Sequence, residues 1–238
     1  MSRLCVLLAC ILLSACAGVS PKTGPEGGPE VPARIAVFGD SMMAWNGLAG
    51  ASAPQSLARI LDEPVANFAV SGARVKNPLP ISSLIGFDIR GQYRKGDWDV
   101  VLVNGGANDF FFGCGCGRCD KVLNRLASED DQTGALLEFL AQLRETGTQV
   151  IYVGYHRSRG LDGPIKGCRN EFDALDARVE KFAEAHNGID FVQLQDVFPV
   201  GDPKFYAGDR IHPSPLGSAA IAERLVPLVR ERLAEVRR

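Results

Sequence analysis

Five short apolar runs, at residues 34–38, 65–70, 100–103, 149–153 and 190–194, constrain this chain more than any other feature. Helical patterns separate them, at 55–61, 134–144, 171–185 and 218–236. The last of these places Ile221, Leu225, Leu228 and Leu233 at helix-like spacings, with charged residues on the other face. Strands that alternate with helices predict an α/β fold built on a parallel sheet, because parallel strands need long crossover connections and those helices cover both faces. In such open sheets, sites form beyond the carboxyl ends of the strands.

Composition agrees with one substantial core: 238 residues, 46% hydrophobic and 23% charged. A formal net charge of −2 gives no electrostatic footprint for nucleic acid. Neither an internal repeat nor a heptad pattern is present, and no segment beyond the N-terminal region is long and apolar enough to cross a bilayer.

Chemistry-bearing residues follow the runs in order. Gly39-Asp40-Ser41 follows the first, Gly72 the second, and Gly105-Gly106-Ala107-Asn108-Asp109 the third, while Asp209-Arg210-Ile211-His212 precedes the final helical pattern. Serine is a weak nucleophile unless a base takes its proton as it attacks. His212 is a candidate base, and Asp209, three residues earlier, can orient its imidazole. Attack on a carbonyl creates an oxyanion, which requires preorganised donors. The backbone N–H groups of Ser41 and Gly72 and the side-chain amide of Asn108 are of the right type. Asp40 is expected to brace the nucleophile turn through backbone hydrogen bonds. Each feature also has a bland reading: Ser41 as a helix cap, Asn108 and Asp109 as turn formers, Asp209 and His212 as a surface pair. Their coincidence in one order argues against that. No Gly-x-Ser-x-Gly, Walker-type or His-Glu-x-x-His motif occurs.

The blocks Phe38-Gly39-Asp40-Ser41, Asn67-Phe68-Ala69-Val70-Ser71-Gly72, Gly106-Ala107-Asn108-Asp109 and Asp209-Arg210-Ile211-His212-Pro213 together resemble those of SGNH (GDSL-like) hydrolases, over about residues 34–236. The resemblance implies a three-layer α/β/α sandwich with a parallel, flavodoxin-like sheet. It also implies Ser41 as nucleophile, Ser41, Gly72 and Asn108 as oxyanion hole, and His212 as base oriented by Asp209. It implies neither cofactor nor metal, and a small-molecule or carbohydrate ester as substrate.

The N-terminus carries Arg3, an apolar run at 4–13 and then Leu13-Ser14-Ala15-Cys16. This is similar to the lipobox of bacterial lipoproteins. It implies a signal peptide over 1–15, a lipid on Cys16, and a domain at 34–238 tethered through the Pro- and Gly-rich stretch at 16–33. Acyl chains contribute about 0.8 kcal/mol per buried methylene, so several chains anchor stably. The expected location is the bacterial cell envelope, facing the periplasm. Ala17, where some bacteria use Asp to retain lipoproteins in the inner membrane, leans towards the outer membrane. A monomer is expected.

Beyond Cys5, Cys10 and Cys16, the chain holds Cys114, Cys116, Cys119 and Cys168. In an exported protein these are expected to form disulfides, and in a cytosolic one a zinc site. Four cysteines allow three pairings. We expect Cys168 to join one of the clustered three, tying the loop after the third strand to the loop after the fourth. Phe110-Phe111-Phe112 is expected in the core, His186 in solvent, and His156 either as a structural residue or on the rim of the site. The leading function is ester hydrolysis through an acyl-enzyme. Acyl transfer to another acceptor and a noncatalytic envelope-binding lipoprotein are the alternatives.

Overall fold

The computed structural model describes residues 32–129 and 132–238. The expected signal peptide, Cys16 and all but the end of the tether lie outside the described residues. Five strands, β1 (Ile35–Phe38), β2 (Val65–Asn67), β3 (Val100–Val103), β4 (Gln149–Val153) and β5 (Ile189–Val192), form one parallel sheet in the order β2-β1-β3-β4-β5. This is the flavodoxin-like order. The register places Ile35 beside both Val65 and Val100, and Val100 beside Gln149. Every residue of the central strands β1 and β3 is buried, as both faces of a parallel sheet require.

Among the described residues, seven α-helices cover the sheet: α1 (Ser41–Ala44), α2 (Ala53–Leu61), α3 (Ala107–Cys114), α4 (Asp120–Leu126), α5 (Ala135–Glu145), α6 (Arg169–Ala185) and α7 (Pro215–Val236). Helix α2 packs on α7 and α1, whereas α4 packs on α3, α5 and α6, which sorts the helices into two outer layers. Helix α2 begins with a capping box: the Ser52 hydroxyl accepts from Gln55 N–H, the Gln55 side chain returns to Ser52, and Pro54 sits in the first turn. Ser214 caps α7 in the same way, accepting from Gly217 N–H.

Sequence patterning finds β3 and β4 to the residue and the longer helices to within three residues at each end. It overextends β2 by three residues and misses α1, α3 and α4. The segment after β3, expected as a loop, starts with helix α3. Within it Phe110 is fully buried, but Phe111 and Phe112 are exposed, so the expectation of core packing holds for the first only. Adjacent residues of a helix cannot all face inwards. His186 is half-buried, not solvated: its Nδ1 lies 2.7 Å from Phe182 O and its ring stacks on that of Phe182.

The cysteines pair as Cys114–Cys119 and Cys116–Cys168. The second disulfide spans 52 residues and ties the region after β3 to the start of α6, with Cys168 in the expected inter-loop role. Disulfide sulfurs have no thiolate to offer a metal, so these cysteines do not form a zinc site.

Candidate active site

The site lies beyond the carboxyl ends of the strands. Asp40, which follows β1, is the N-cap of α1: its Oδ1 accepts from Met42 N–H at 3.0 Å. This turn puts Ser41 in the first position of the short helix, at the wall of a cavity of about 220 Å³. Gln92, from the 3₁₀ turn Ile89–Gln92, clamps the same turn. Its Oε1 accepts from Gly39 N–H at 2.7 Å and its Nε2 donates to Gly39 O at 2.8 Å.

Asn108 and Asp109, in the first turn of α3, grip the loop after β2. Asn108 Nδ2 donates to Ala73 O at 2.9 Å, and Asp109 accepts from Val75 N–H at 2.8 Å and Lys76 N–H at 3.3 Å. These bonds fix Gly72, whose φ of +82° is the left-handed conformation that favours glycine. Among the described residues, no hydrogen bond uses the backbone N–H of Ser41 or of Gly72. The second hydrogen of Asn108 Nδ2 is held only by a long 3.5 Å contact to Asp40 Oδ2, so it can join these two N–H groups as a donor to a ligand.

His212 approaches from the loop before α7. Its Nδ1 is 2.6 Å from Asp209 Oδ2, while Asp209 Oδ1 accepts from Ile211 N–H at 2.9 Å and His212 N–H at 3.0 Å. Partial burial raises the Asp209 pKa, but hydrogen bonds from the His212 ring and from these backbone amides outweigh it and hold the carboxyl below its usual range. A carboxylate at Nδ1 fixes the proton there, so Nε2 is left as the basic nitrogen. Ser41 and His212 line the same cavity, and among the described residues no hydrogen bond joins them. Contacts of this kind tighten when substrate binds.

Sequence reasoning missed three contributors. Trp45, one turn beyond Ser41, stacks flat on His212, with ring centroids 3.8 Å apart and planes at 8°. The Tyr155 hydroxyl donates to Asp40 Oδ2 at 2.6 Å and accepts from Ala107 N–H at 3.2 Å, joining the ends of β1, β3 and β4. Burial raises the Asp40 pKa, opposed by the bonds from Tyr155 and Met42. Gln92 is the third. None belongs to a local motif. Trp45 stands four residues beyond Ser41 and Tyr155 two beyond the end of β4, but nothing local marks Gln92.

His156 is buried and lines the cavity, so it is on the inner wall, not the rim. Its ring packs against Phe198 and Tyr206, and neither ring nitrogen has a hydrogen-bonding protein partner. Burial pushes its pKa down to about 4; the Ile211 backbone, which falls outside hydrogen-bond geometry, opposes this, and the nearby charges of Arg157 and His212 add to it. The unfolded chain therefore binds a proton at about pH 6.5 that the folded chain refuses until about pH 4. The stability this supplies is complete above about pH 6.5 and is lost as pH falls through about 4. In urea titrations, His156→Phe is expected to gain on the wild type by ~3 kcal/mol between pH 7 and pH 4. A difference that does not change with pH would contradict the neutral assignment.

The arrangement can perform nucleophilic acyl chemistry: a hydroxyl, an oriented imidazole and the donors of Ser41 and Asn108 line one cavity, and Gly72 lies on the loop that Asn108 grips. The remaining wall is mostly apolar, with Met42, Phe111, Phe112, Phe172 and Ile211. Among solved structures, the chain is similar to a protein from Lactobacillus plantarum, at 21% identity and TM-score 0.60 over 84% of this chain and 97% of that one. It is also similar to a carbohydrate acetylesterase family member from Sinorhizobium meliloti, at 15% identity and TM-score 0.57 over 85% and 100% of the two chains. A third similar structure is an active-site mutant of a family two carbohydrate esterase from Clostridium thermocellum, at 18% identity and TM-score 0.56 over 85% of this chain and 64% of that one. These likenesses establish the fold. No curated protein matches the chain. The family model described as GDSL-like Lipase/Acylhydrolase matches residues 37–220, which contain the end of β1, all of β2 to β5, and Ser41, Gly72, Asn108, Asp209 and His212. The chain belongs to the GDSL-like Lipase/Acylhydrolase family.

Proposed function

We propose that this protein is a serine ester hydrolase, with Ser41 as nucleophile, His212 as general base and acid, and Asp209 as the group that orients His212. The observation that carries the reading is the convergence of Ser41, the Asp209–His212 pair and the Asn108 amide on one cavity, with unused N–H groups at Ser41 and Gly72. His212 Nε2 takes the Ser41 proton as Oγ bonds to the ester carbonyl carbon. The carbonyl oxygen becomes an oxyanion held by Ser41 N–H, Gly72 N–H and Asn108 Nδ2. The tetrahedral species collapses, the C–O bond to the alcohol breaks, and His212 returns the proton to the leaving oxygen. Water, deprotonated by the same nitrogen, then attacks the acyl-enzyme. Hydrolysis releases the acid and restores Ser41.

The substrate class is an ester of a lipid or of an acylated carbohydrate. Two solved structures of similar fold are described as a carbohydrate esterase and a carbohydrate acetylesterase family member, which supports the second; the apolar cavity wall supports the first. The Leu13-Ser14-Ala15-Cys16 sequence supports a lipid anchor on Cys16 and a place at the bacterial cell envelope. The test is a series of p-nitrophenyl esters from acetate to long acyl chains. Ser41-dependent turnover is the expected result: confined to acetate for a deacetylase, rising with chain length for a lipid esterase. A folded enzyme inactive on every member would contradict the assignment.

A further inference from the structure

Beside the Gly72 loop, a run of exposed apolar side chains stands outside the groups assigned to the reaction. Segment 77–87, between the Gly72 loop and the 3₁₀ turn at Ile89–Gln92, has no charged residue, yet Leu79, Ile81, Leu84 and Ile85 are all exposed, Leu84 by 80%. In α3, Phe111 and Phe112 are exposed as well, pack edge-on at 5.2 Å, and line the cavity. The two parts join at the oxyanion loop. Phe87, the last residue of the segment, provides the atoms nearest the Gly72 Cα face, its O accepts from Arg74 N–H at 3.0 Å, and the Arg74 guanidinium lies 6.0 Å from the Phe112 ring. Exposed large apolar side chains gathered within a few residues in this way mark an interaction site.

Cations flank it. Arg74, Lys76 and Arg125 border a cavity of about 300 Å³, and none of the three forms a salt bridge among the described residues. The one carboxylate there, Asp109, is buried and already accepts the backbone N–H groups of Val75 and Lys76, so the basin is basic. Exposed apolar side chains beside unpaired cations are complementary to the surface of an anionic bilayer, with acyl chains below and phosphates above.

We propose that this face seats on an anionic lipid bilayer with the cavity mouth towards the lipid, so that ester substrates reach Ser41 from the membrane. The delivery step rests on the ester-hydrolase reading; the docking does not. A second copy or a protein partner on the same face would cover the mouth and shut Ser41 off, whereas a fluid bilayer supplies substrate through it. The lipobox-like sequence ending at Cys16 precedes the described residues by fewer than twenty positions, which keeps the domain within reach of the membrane it would dock on.

The test uses the full chain in vesicles of phosphatidylglycerol and phosphatidylcholine with brominated acyl chains. Tryptophan is introduced as Leu84→Trp or, for control, as Val236→Trp. Val236 is exposed beside Arg237, which pairs with Asp99 just before β3, at the end of the sheet away from the site. With the emission of Trp45 and Trp98 in the wild type subtracted, we expect that from position 84 to shift to the blue and to be quenched about twofold, with position 236 unaffected. Equal quenching at both positions, or none at either, overturns the proposal. The double variant Ile81→Asp/Leu84→Asp is expected to turn over p-nitrophenyl acetate at the wild-type rate and vesicle-borne esters at least tenfold more slowly. Loss of both activities would place these residues in the site and overturn the docking role. A wild-type dimer that this double variant dissociates, seen by sedimentation velocity, would assign the face to a second copy instead. Absence of turnover of every p-nitrophenyl ester in the wild type would refute the hydrolase reading and leave the quenching result to judge docking separately.

Discussion

Ser41→Ala is expected to lower kcat for ester hydrolysis by ~10⁴-fold or more and to leave the melting temperature within a degree or so of the wild type. The two halves of this result exclude different readings. If Ser41 served only as a helix cap, its removal would destabilise the protein by ~1 kcal/mol and spare any chemistry. The cap of α1 is Asp40, and among the described residues the Ser41 hydroxyl makes no hydrogen bond, so alanine removes no structural contact made through oxygen. His212→Ala should reduce kcat to a comparable degree. The double variant should be hardly worse than either single one, because nucleophile and base act as a unit.

Arg157→Met is expected to destabilise the fold by ~3–5 kcal/mol at pH 8, which is large against ordinary domain stabilities. Arg157 is 5% exposed and its guanidinium reaches Asp176 Oδ2 at 2.7 Å, Asp173 Oδ1 at 2.8 Å and Tyr155 O at 2.6 Å, while its carbon lies 5.3 Å from the Phe172 ring. Methionine fills much of the volume but leaves the buried Asp176 carboxylate uncompensated. Burial already raises the Asp176 pKa to about 6, with the charge and hydrogen bond of Arg157 holding it down. A raised carboxyl pKa contributes stability that is complete below the unfolded value, about 3.8, and lost as pH rises through the folded one. Removing Arg157 raises that folded value further. The deficit of the variant is therefore greatest above neutrality and shrinks as pH falls to about 6, which denaturant titrations at pH 8 and pH 5 would read. A deficit independent of pH would mean that packing on Phe172, not charge, is what Arg157 supplies. Because Arg157 also holds Tyr155 O, and the Tyr155 hydroxyl holds Asp40, some loss of kcat should accompany the loss of stability.

What the sequence reveals of this protein depends on how local the cause is. The central strands are legible because a strand buried on both faces must be apolar at every position, as Val100-Val101-Leu102-Val103 is. Helices α2 and α7 carry their amphipathic stripes and Ser/Pro starts in their own residues. Helix α1 has only four residues and α3 places glycine and three aromatics in two turns, so neither shows a helical period. Strand β2 stops early because the chain after Asn67 leaves the sheet to build the Gly72 loop. In the site, the residues expected to do chemistry stand at strand ends in chain order and could be found. Those that hold them in place could not, since Gln92 reaches back 53 positions to Gly39 and Tyr155 reaches back 115 to Asp40. The cysteine pairing was likewise open among three solutions, and only the placement of α3 and α6 selects Cys116 for Cys168.

The central claim is that Ser41 is an activated nucleophile in a working site, and its most direct test is intact-mass and peptide mass spectrometry after exposure to a serine-directed fluorophosphonate. The account predicts one phosphonyl adduct per chain, located on Ser41, abolished in Ser41→Ala and strongly slowed in His212→Ala. A folded wild-type protein that remains unlabelled, or that carries the adduct on another residue, would contradict it and favour a noncatalytic binding protein on the same fold.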